Sequence, residues 1–393
     1  MISLVLTVVM LMYKAYKFRI YPTDEQKIFI NKTFGCSRYV YNYYLNKIKN
    51  DGYTSSYDNI KDYTNVLKYN SPFLQEIDSI VIRKSLFNLE DAFKRLFNKT
   101  GGYPKFKSKY NRNIYNTSLV TGIYKNKKYC NIELDLENKR VKLPKLKWVK
   151  IKGYRNTKNI NGAIKSATIS KEPSGKYYVS ILFEMNETIE KVNPKNIVGI
   201  DLGIKKLLTL SDGITYDNNK YILKYAKRIK RKQRELARKI KGSKNYYKCK
   251  KELAILYSKL ANSRKCYIHK ITKEITDEYD IITCEKLQTK EMIINGKKNK
   301  LSSKIQDATF TEILRQLSYK SKYKGKDFYQ INTYYPSSQI CSRCTNQDKE
   351  YKDLNKREYK CIKCGQEIDR DLNASINIMF QGLELYMKSL VTC

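Results

Sequence analysis

The chain has 393 residues, of which 78 are Lys or Arg and 38 are Asp or Glu, so its formal net charge is +40. Hydrophobic residues make up 41% of the chain, which excludes wholesale disorder, and 16 glycines with 7 prolines are too few for a fibrous protein. Such a surplus of positive charge favours a polyanionic partner, and nucleic acid is the usual one.

The chain opens with a hydrophobic stretch, residues 1–13, that is too short to span a bilayer and has no basic start or cleavage site. It is either an additional strand or a leader produced by a start codon assigned too early, and the second interpretation is favoured. Since no other run approaches transmembrane length, we expect a protein with no membrane partner. Its expected location is the cytoplasm or nucleoid of a prokaryote, or the nucleus if the host is eukaryotic or viral.

The N-terminal half combines short strands with one helical stretch. Residues 14–22 alternate as a strand does, and Thr23 with Gln26 three residues later is typical of a helix start. The pattern stays helical to about residue 100, and residues 105–190 then return to short strands. The predicted parts are a β-rich body over 14–23 and 101–193 and a helical insert over 24–100.

A new domain is predicted to follow Pro194. Its first two strands cover residues 197–201 and 206–210, and residues 221–279 predict a helical hairpin. Within the hairpin, residues 224–251 contain fourteen Lys or Arg and a single acid, Glu235. The predicted buried seam of the first helix is Ala226, Ile229, Gln233, Leu236 and Ile240.

The outer face of this hairpin should therefore be strongly cationic, with Arg228, Arg231 and Arg234 among its residues. An ordinary solvated helix face is the alternative, but such faces mix both signs of charge, and this one does not. Further along, the sequence predicts a strand over 281–285, a helix over 308–324, a strand over 327–334 and a final helix from about 371.

Four cysteines form two pairs, Cys341-x2-Cys344 and, after sixteen residues, Cys361-x2-Cys364. Two such knuckles complete a tetrahedral four-thiolate site, which suits structural Zn²⁺ and leaves no open position for chemistry. Disulfides are disfavoured by the expected compartment, and an iron–sulfur cluster by the paired spacing. His269 is the only histidine, so no Ser/His/Asp or Cys/His catalytic set can be assembled.

Three acids stand at the ends of predicted elements. Asp201 and Glu285 each end an apolar strand, and Asp371 begins the last helix. An acid placed there costs stability unless something binds it, and three together could hold one or two Mg²⁺ ions for phosphodiester cleavage. Taken singly, Asp369 or Asp371 could cap a helix and Asp201 could open a turn, but the joint pattern favours a metal site.

Several motifs resemble those of the TnpB family, transposon-encoded proteins related to type V CRISPR effectors. The specific ones are VGIDLGIKKLLTLSDG, ITCEKL, YYPSSQICSRC, REYKCIKCG and EIDRDLNASINI. KFRIYPTDEQK, the spaced pattern from Gly35 through Arg38 to Leu45, and GYPKFKSK, which contains Lys105 and Lys107, are weaker matches. Thr345 departs from the family, which usually has Gly after the second cysteine.

The resemblance implies a transposon-associated RNA-guided DNA endonuclease of mixed α/β fold. It implies a β-rich wedge domain with a helical recognition insert, and then an RNase H-like (RuvC) nuclease domain, residues 194–336 and 367–393, interrupted by a zinc ribbon at 337–366. Its catalytic acids would be Asp201, Glu285 and Asp371, with Asp369 as the rival for the third place. Its cofactors would be structural Zn²⁺ and catalytic Mg²⁺.

The partners that the resemblance implies are a guide RNA from the transposon end and a double-stranded DNA target. Arg38, Lys105 and Lys107, together with the three arginines of the hairpin, are the expected nucleic-acid contacts. Two alternatives stay open: a non-catalytic DNA- or RNA-binding accessory or regulator of transposition, and a transposase proper. The three acids favour an enzyme over a binding module, and joined DNA products would distinguish strand transfer from simple cleavage.

Overall fold

The computed structural model of this chain describes residues 7–52, 54, 64–65, 67–110, 112–124, 127–152, 160, 162–218, 220–295, 308–352 and 356–391. These residues form two compact units, one made of Met10–Glu187 and the other mainly of Thr188–Cys393. This division lies six residues before the boundary expected at 193/194. The domain boundaries drawn from the sequence stay a prediction.

The N-terminal unit is built on a seven-stranded sheet of order β2-β8-β9-β1-β7-β6-β5, while β3 and β4 form a separate two-stranded ribbon. Helices α1 (Asp24–Asn50) and α2 (Ser79–Phe97) follow β1 and pack on each other. The strands are β1 (Thr7–Tyr21), β2 (Asn113–Ser118), β3 (Thr121–Tyr124), β4 (Lys127–Cys130), β5 (Glu133–Asp135), β6 (Arg140–Leu143), β7 (Lys147–Lys152), β8 (Ala163–Lys171) and β9 (Tyr177–Glu190).

The start of α1 has the cap that the sequence predicts. The Thr23 hydroxyl accepts a hydrogen bond from the Gln26 amide at 3.3 Å, and the Gln26 side chain accepts one from the Thr23 amide at 3.0 Å. Strand β1 begins at Thr7, inside the predicted leader, and Met12 is buried between the exposed Leu11 and Tyr13. Residues 7–13 therefore continue the strand, and residues 1–6 lie outside the described residues.

The C-terminal unit contains a five-stranded sheet of order β12-β11-β10-β13-β14. Strand β10 is antiparallel to β11 and parallel to β13, which is parallel to β14. The sheet strands are β10 (Ile197–Leu202), β11 (Lys206–Leu210), β12 (Thr215–Asp217), β13 (Ile281–Glu285) and β14 (Asp327–Ile331), and β15 (Glu358–Lys360) and β16 (Glu367–Asp369) form a small hairpin. The helices are α3 (Tyr221–Ala237), α4 (Lys244–Glu278), α5 (Thr289–Asn295), α6 (Phe310–Tyr323) and α7 (Arg370–Val391).

Helix α7 lies directly on the backbone of the central strands. A Cβ atom added at Gly199 in β10 would lie 2.1 Å from the Ser375 carbonyl oxygen of α7. A Cβ atom added at Gly382 in α7 would lie 1.8 Å from the Thr283 hydroxyl of β13. The two glycines permit an approach that no other residue type would allow, and so they fix where the helix lies on the sheet.

The helical hairpin predicted over 221–279 is formed by α3 and α4, and its seam is partly the predicted one. Ile229 is buried as expected, but Gln233 and Ile240 are exposed, the latter by 82%. Helix α3 ends at Ala237, so Ile240 lies beyond the helix and cannot continue the stripe. Among the described helices, none has the length and hydropathy needed to cross a lipid bilayer.

The packing at Gly199 can be tested by Gly199→Ala. We expect the free energy of unfolding to fall by at least about 1–3 kcal/mol, because the methyl group would force α7 away from β10. For a unit of about 200 residues, this corresponds to a fall of roughly 2–4 °C in Tm per kcal/mol. Gly35→Ala in α1 is the matched control, because a Cβ there meets nothing within 4 Å. An unchanged Tm for Gly199→Ala would contradict the close packing.

Candidate active site and metal centre

Asp201 and Glu285 lie at the same edge of the five-stranded sheet. Strands β10 and β13 are parallel, and Ile200 pairs with Cys284, so each acid is the next residue along its strand. Asp371 lies in the first turn of α7, the helix that contacts β10 and β13. The strand register and the helix packing therefore bring the three carboxyl groups to one edge of the sheet.

The electrostatics of this edge reflect three acids close together. Burial, together with the negative charges of Glu285 and Asp371, raises the pKa of Asp201 to about 8, although Arg370 acts to lower it. Burial also raises the pKa of Glu285, against a hydrogen bond that its carboxylate accepts from the Ser337 hydroxyl. Ionisation of these carboxyl groups is therefore costly in the absence of a cation, and a divalent cation is the natural counter-ion for such a cluster.

The two acids that competed for the third position occupy different environments. Asp369 is exposed, and its Oδ1 accepts hydrogen bonds from the amides of Asp371 at 2.9 Å and Leu372 at 3.1 Å, so it caps α7. Its Oδ2 lies 3.4 Å from the Lys206 ammonium. Asp371 is less exposed, lies 3.6 Å from the Arg357 guanidinium, and acts on the pKa of Asp201. This arrangement favours Asp371 over Asp369 as the third ligand.

The three carboxyl groups offer the oxygen atoms that Mg²⁺ prefers as ligands. Among the described residues, only the four ribbon cysteines have ligand atoms that all lie within 4.8 Å of one another. The oxygen atoms of the three carboxyl groups are therefore further apart than that. Mg²⁺ keeps several of its waters and binds through one or two carboxylates, and therefore does not need an all-protein cage.

The four cysteines of the predicted zinc ribbon converge on one point. Their sulfur atoms all lie within 4.8 Å of one another, with Cys341 and Cys364 3.6 Å apart and Cys344 and Cys361 3.5 Å apart. All four are free thiols, so the disulfide alternative is wrong. Tetrahedral Zn–S bonds of about 2.3 Å place sulfur atoms roughly 3.8 Å apart, so the geometry suits a tetrahedral metal ion.

The two cysteine knuckles have the same backbone turn but different residues in it. The amide of Thr345 donates to the Cys341 carbonyl at 3.0 Å, and the amide of Gly365 donates to the Cys361 carbonyl at 2.9 Å. Both residues have a left-handed backbone conformation, with φ of +60° for Thr345 and +70° for Gly365. A β-branched residue is strained in that conformation, which explains why Thr345 is the less suitable residue for this turn.

The predicted cationic face lies on α3. Arg228, Arg231 and Arg234 are all exposed, whereas Ile229 of the same helix is buried. Lys232 differs from them, because its ammonium forms ion pairs with Glu235 at 2.8 Å and with Glu252 of α4 at 2.6 Å. A cavity beside this helix is lined by Glu235 and six basic residues: Lys227, Lys230, Arg231, Arg234, Arg238 and Lys239.

The other three predicted nucleic-acid contacts lie in the N-terminal unit. Lys105 is exposed, whereas the Arg38 guanidinium donates to the Asn113 side chain at 3.4 Å. The Lys107 ammonium lies 3.5 Å from the centre of the Tyr41 ring, and burial lowers its pKa to about 8. Lys107 is therefore engaged within the protein, which makes it a weaker candidate for a phosphate contact than Lys105.

Three sequence families match parts of the chain. A family described as "Probable transposase" matches residues 180–295, and a "Cas12f1-like, TNB domain" matches residues 310–378, which include all four cysteines and Asp371. A family described as "Helix-turn-helix domain" matches residues 10–54. The described part of that last range contains one strand, β1, and one helix, α1, rather than two helices joined by a turn.

Two relatives match almost the whole chain. One from Streptomyces pristinaespiralis, named "Putative RNA-guided DNA endonuclease", is 31% identical and covers 94% of this chain and 89% of its own. One from Escherichia coli K12, of the same name with the suffix InsQ, is 30% identical and covers 94% of this chain and 92% of its own. The chain belongs to the TnpB family.

A comparison with a solved structure identifies the fold. The structure described as "Cryo-EM structure of the Cas12f1-sgRNA-target DNA complex" aligns with a TM-score of 0.56 at 16% identity, over 94% of this chain and 99% of that chain. An identity this low shows the fold alone. The mixed α/β, RNase H-like fold class predicted from the sequence is thereby confirmed for this TnpB-family chain.

Sequence reasoning missed two polar residues around the acids. Ser337, whose hydroxyl bonds to Glu285, belongs to the quoted motif YYPSSQICSRC but was given no role. Arg370 is 6% exposed, donates to the Ser338 hydroxyl at 3.2 Å and lowers the pKa of Asp201. Ser337 stands four residues before Cys341, and Arg370 stands directly before Asp371, and these positions were the available signal.

The backbone strain at Thr345 can be tested by two substitutions with opposite expected effects on zinc binding. Thr345→Gly should relieve about 1 kcal/mol of strain, so the chelator concentration that removes half of the bound zinc should rise about 2–5-fold. Gly365→Thr introduces the same strain in the other knuckle and should lower that concentration by a similar factor, about 2–5-fold. The measurement is zinc release under chelator competition, and equal effects of the same sign would contradict the explanation.

Proposed function

We propose that this chain is a transposon-associated RNA-guided DNA endonuclease, and that Asp201, Glu285 and Asp371 hold Mg²⁺ for phosphodiester cleavage. The observation that carries the proposal is the convergence of three carboxyl groups at one sheet edge. The raised pKa of Asp201 supports it, because three acids of like charge are costly to hold together without a cation. The names of the two long relatives support the same activity.

In this proposal each part of the chain has a separate task. Mg²⁺, when bound, supplies activation of the attacking water and stabilisation of the leaving oxygen. Asp201 and Glu285 orient the ion from the rigid ends of two strands, and Asp371 approaches it from α7. The four ribbon cysteines hold a structural Zn²⁺, because a closed four-sulfur site leaves no position for substrate.

The proposed guide is an RNA derived from the transposon end, and the proposed substrate is double-stranded DNA that matches it. In such enzymes base pairing reads the target sequence, while the protein reads duplex shape and a short adjacent motif. The net charge of +40 and the basic face of α3 support this division of labour, because a channel for RNA and heteroduplex needs many unspecific phosphate contacts.

If the three acids hold the metal ion, replacing any one of them should abolish DNA cleavage and leave guide-RNA binding intact. Asp201→Ala, Glu285→Ala and Asp371→Ala should each reduce guided DNA cleavage by more than about 100-fold, since metal ligation serves the chemical step. Guide-RNA affinity should stay within about 2-fold of the parent chain. Asp369→Ala is the control: it removes a helix cap worth about 1 kcal/mol and should still cut. If Asp369→Ala fails to cut and Asp371→Ala cuts normally, the third ligand is Asp369.

The basic face of α3 predicts a change in salt dependence. Reversing Arg228, Arg231 and Arg234 to Glu should weaken guide-RNA binding and lower the log–log salt slope by about one for each phosphate group that the protein ceases to neutralise. The same three residues changed to Lys keep the charge and should retain most of the affinity. Filter binding at four salt concentrations measures both quantities, and a slope unchanged in the Glu variant would exclude this face as an RNA-binding surface.

A further inference from the structure

A hydroxyl group from the segment before the first ribbon cysteine reaches the proposed magnesium ligands. Ser337 begins the short 3-10 turn Ser337–Gln339, is 5% exposed, and donates a hydrogen bond from its Oγ to Oε1 of Glu285. A bond to one oxygen of a carboxylate fixes the rotation of that group about its last side-chain bond. Ser337 therefore sets the direction in which Glu285 presents its oxygens.

Two asparagine side chains of helix α7 form hydrogen bonds with the same segment. The side-chain Nδ2 of Asn377, a residue that is 4% exposed, donates to the backbone carbonyl oxygens of Ser337 at 2.8 Å and Ile340 at 2.6 Å. The side chain of Asn373, which is fully buried, donates to the Ile340 carbonyl at 2.7 Å and accepts from the Ser342 amide at 2.9 Å. We call residues 337–342 the linking loop.

These contacts determine where the linking loop lies. The side chains of the two buried asparagines make four hydrogen bonds to the backbone of the loop. Each buried polar group left without its partner would cost about 1–3 kcal/mol. The loop carries Ser337 at its beginning and Cys341 near its end, and it is fixed to the helix that also carries Asp371. The ribbon and two of the three acids are thus joined by direct hydrogen bonds and a common helix.

We propose that Ser337 is a positioning residue for Glu285, and that the linking loop transmits the folding of the zinc ribbon to the carboxylate site. This inference rests on the proposed nuclease function. A ribbon that loses its metal would release Cys341, loosen the linking loop and free Ser337 from Glu285. The ribbon is then a structural support of the nuclease site in addition to any contact it makes with nucleic acid.

The test is Ser337→Ala in the chain loaded with zinc and guide RNA. We expect the dissociation constant for Mn²⁺, measured by electron paramagnetic resonance, to rise about 10–100-fold, and cleavage at low Mg²⁺ to fall by a similar factor. Ser337→Thr keeps the hydroxyl and should stay within a few fold of the parent. Zinc content and guide-RNA affinity should be unchanged in both variants.

Ser342→Ala is the matched control, because its hydroxyl lies in the same loop and accepts from the Gln366 side chain at 3.3 Å within the ribbon. Parental Mn²⁺ affinity and cleavage in Ser337→Ala would overturn the proposal, as would an equal loss in Ser337→Thr or in the Ser342 control. Loss of zinc from Ser337→Ala with parental Mn²⁺ affinity would also overturn it, by showing that the residue supports the ribbon alone. If the parent chain binds Mn²⁺ but cuts no guided target, the nuclease function fails while the effect of Ser337 on metal affinity can still be measured.

Discussion

The C-terminal unit depends on the contact between α7 and the backbone of β10 and β13. Gly199 and Gly382 allow this approach, and any side chain at either position would meet a neighbouring atom well inside its van der Waals distance. Because Asp371 lies in the first turn of α7, the distance between helix and sheet sets the distance between its carboxyl group and the two strand acids. A packing requirement of the core thus determines the geometry of a polar site at the sheet edge.

The site has a local composition opposite to that of the chain. Three acids lie at one edge of the sheet in a molecule whose net charge is +40, and Arg357 and Arg370 lie close to them. In the proposed function the two signs would serve different ligands: distributed lysines and arginines would attract a polyanion over long range, and clustered carboxyl groups would bind a small cation at short range. A phosphodiester bond and a metal ion would thereby be brought to one place.

Much of this arrangement could be predicted from the sequence, because it rests on local patterns. The cysteine spacing predicted the four-sulfur cluster, and an acid at the end of an apolar strand predicted the sheet-edge position of Asp201 and of Glu285. The Thr23 cap was likewise visible in four consecutive residues. The assignment of all three acids as metal ligands stays a prediction, supported by their convergence and by the capping role of Asp369.

The rest depends on contacts between residues far apart in the chain, which spacing does not reveal. Ser337 bonds to Glu285, 52 residues away, and Lys107, which lies outside any helix or strand, packs over the ring of Tyr41 in α1. Lys232 belongs to the most basic stretch of the sequence, yet two ion pairs neutralise it. The helical stripe that included Ile240 failed for a similar reason, since the point at which α3 ends is set by the turn into α4.

The most direct test of the account is cleavage by the protein expressed with the DNA that flanks the 3′ side of its gene. The account predicts that the purified protein carries one discrete RNA, that it cuts only DNA matching the end of that RNA, and that it requires Mg²⁺ to do so. A random population of bound RNA fragments, with cleavage or binding indifferent to the guide sequence, would contradict it and identify a nucleic-acid-binding module instead.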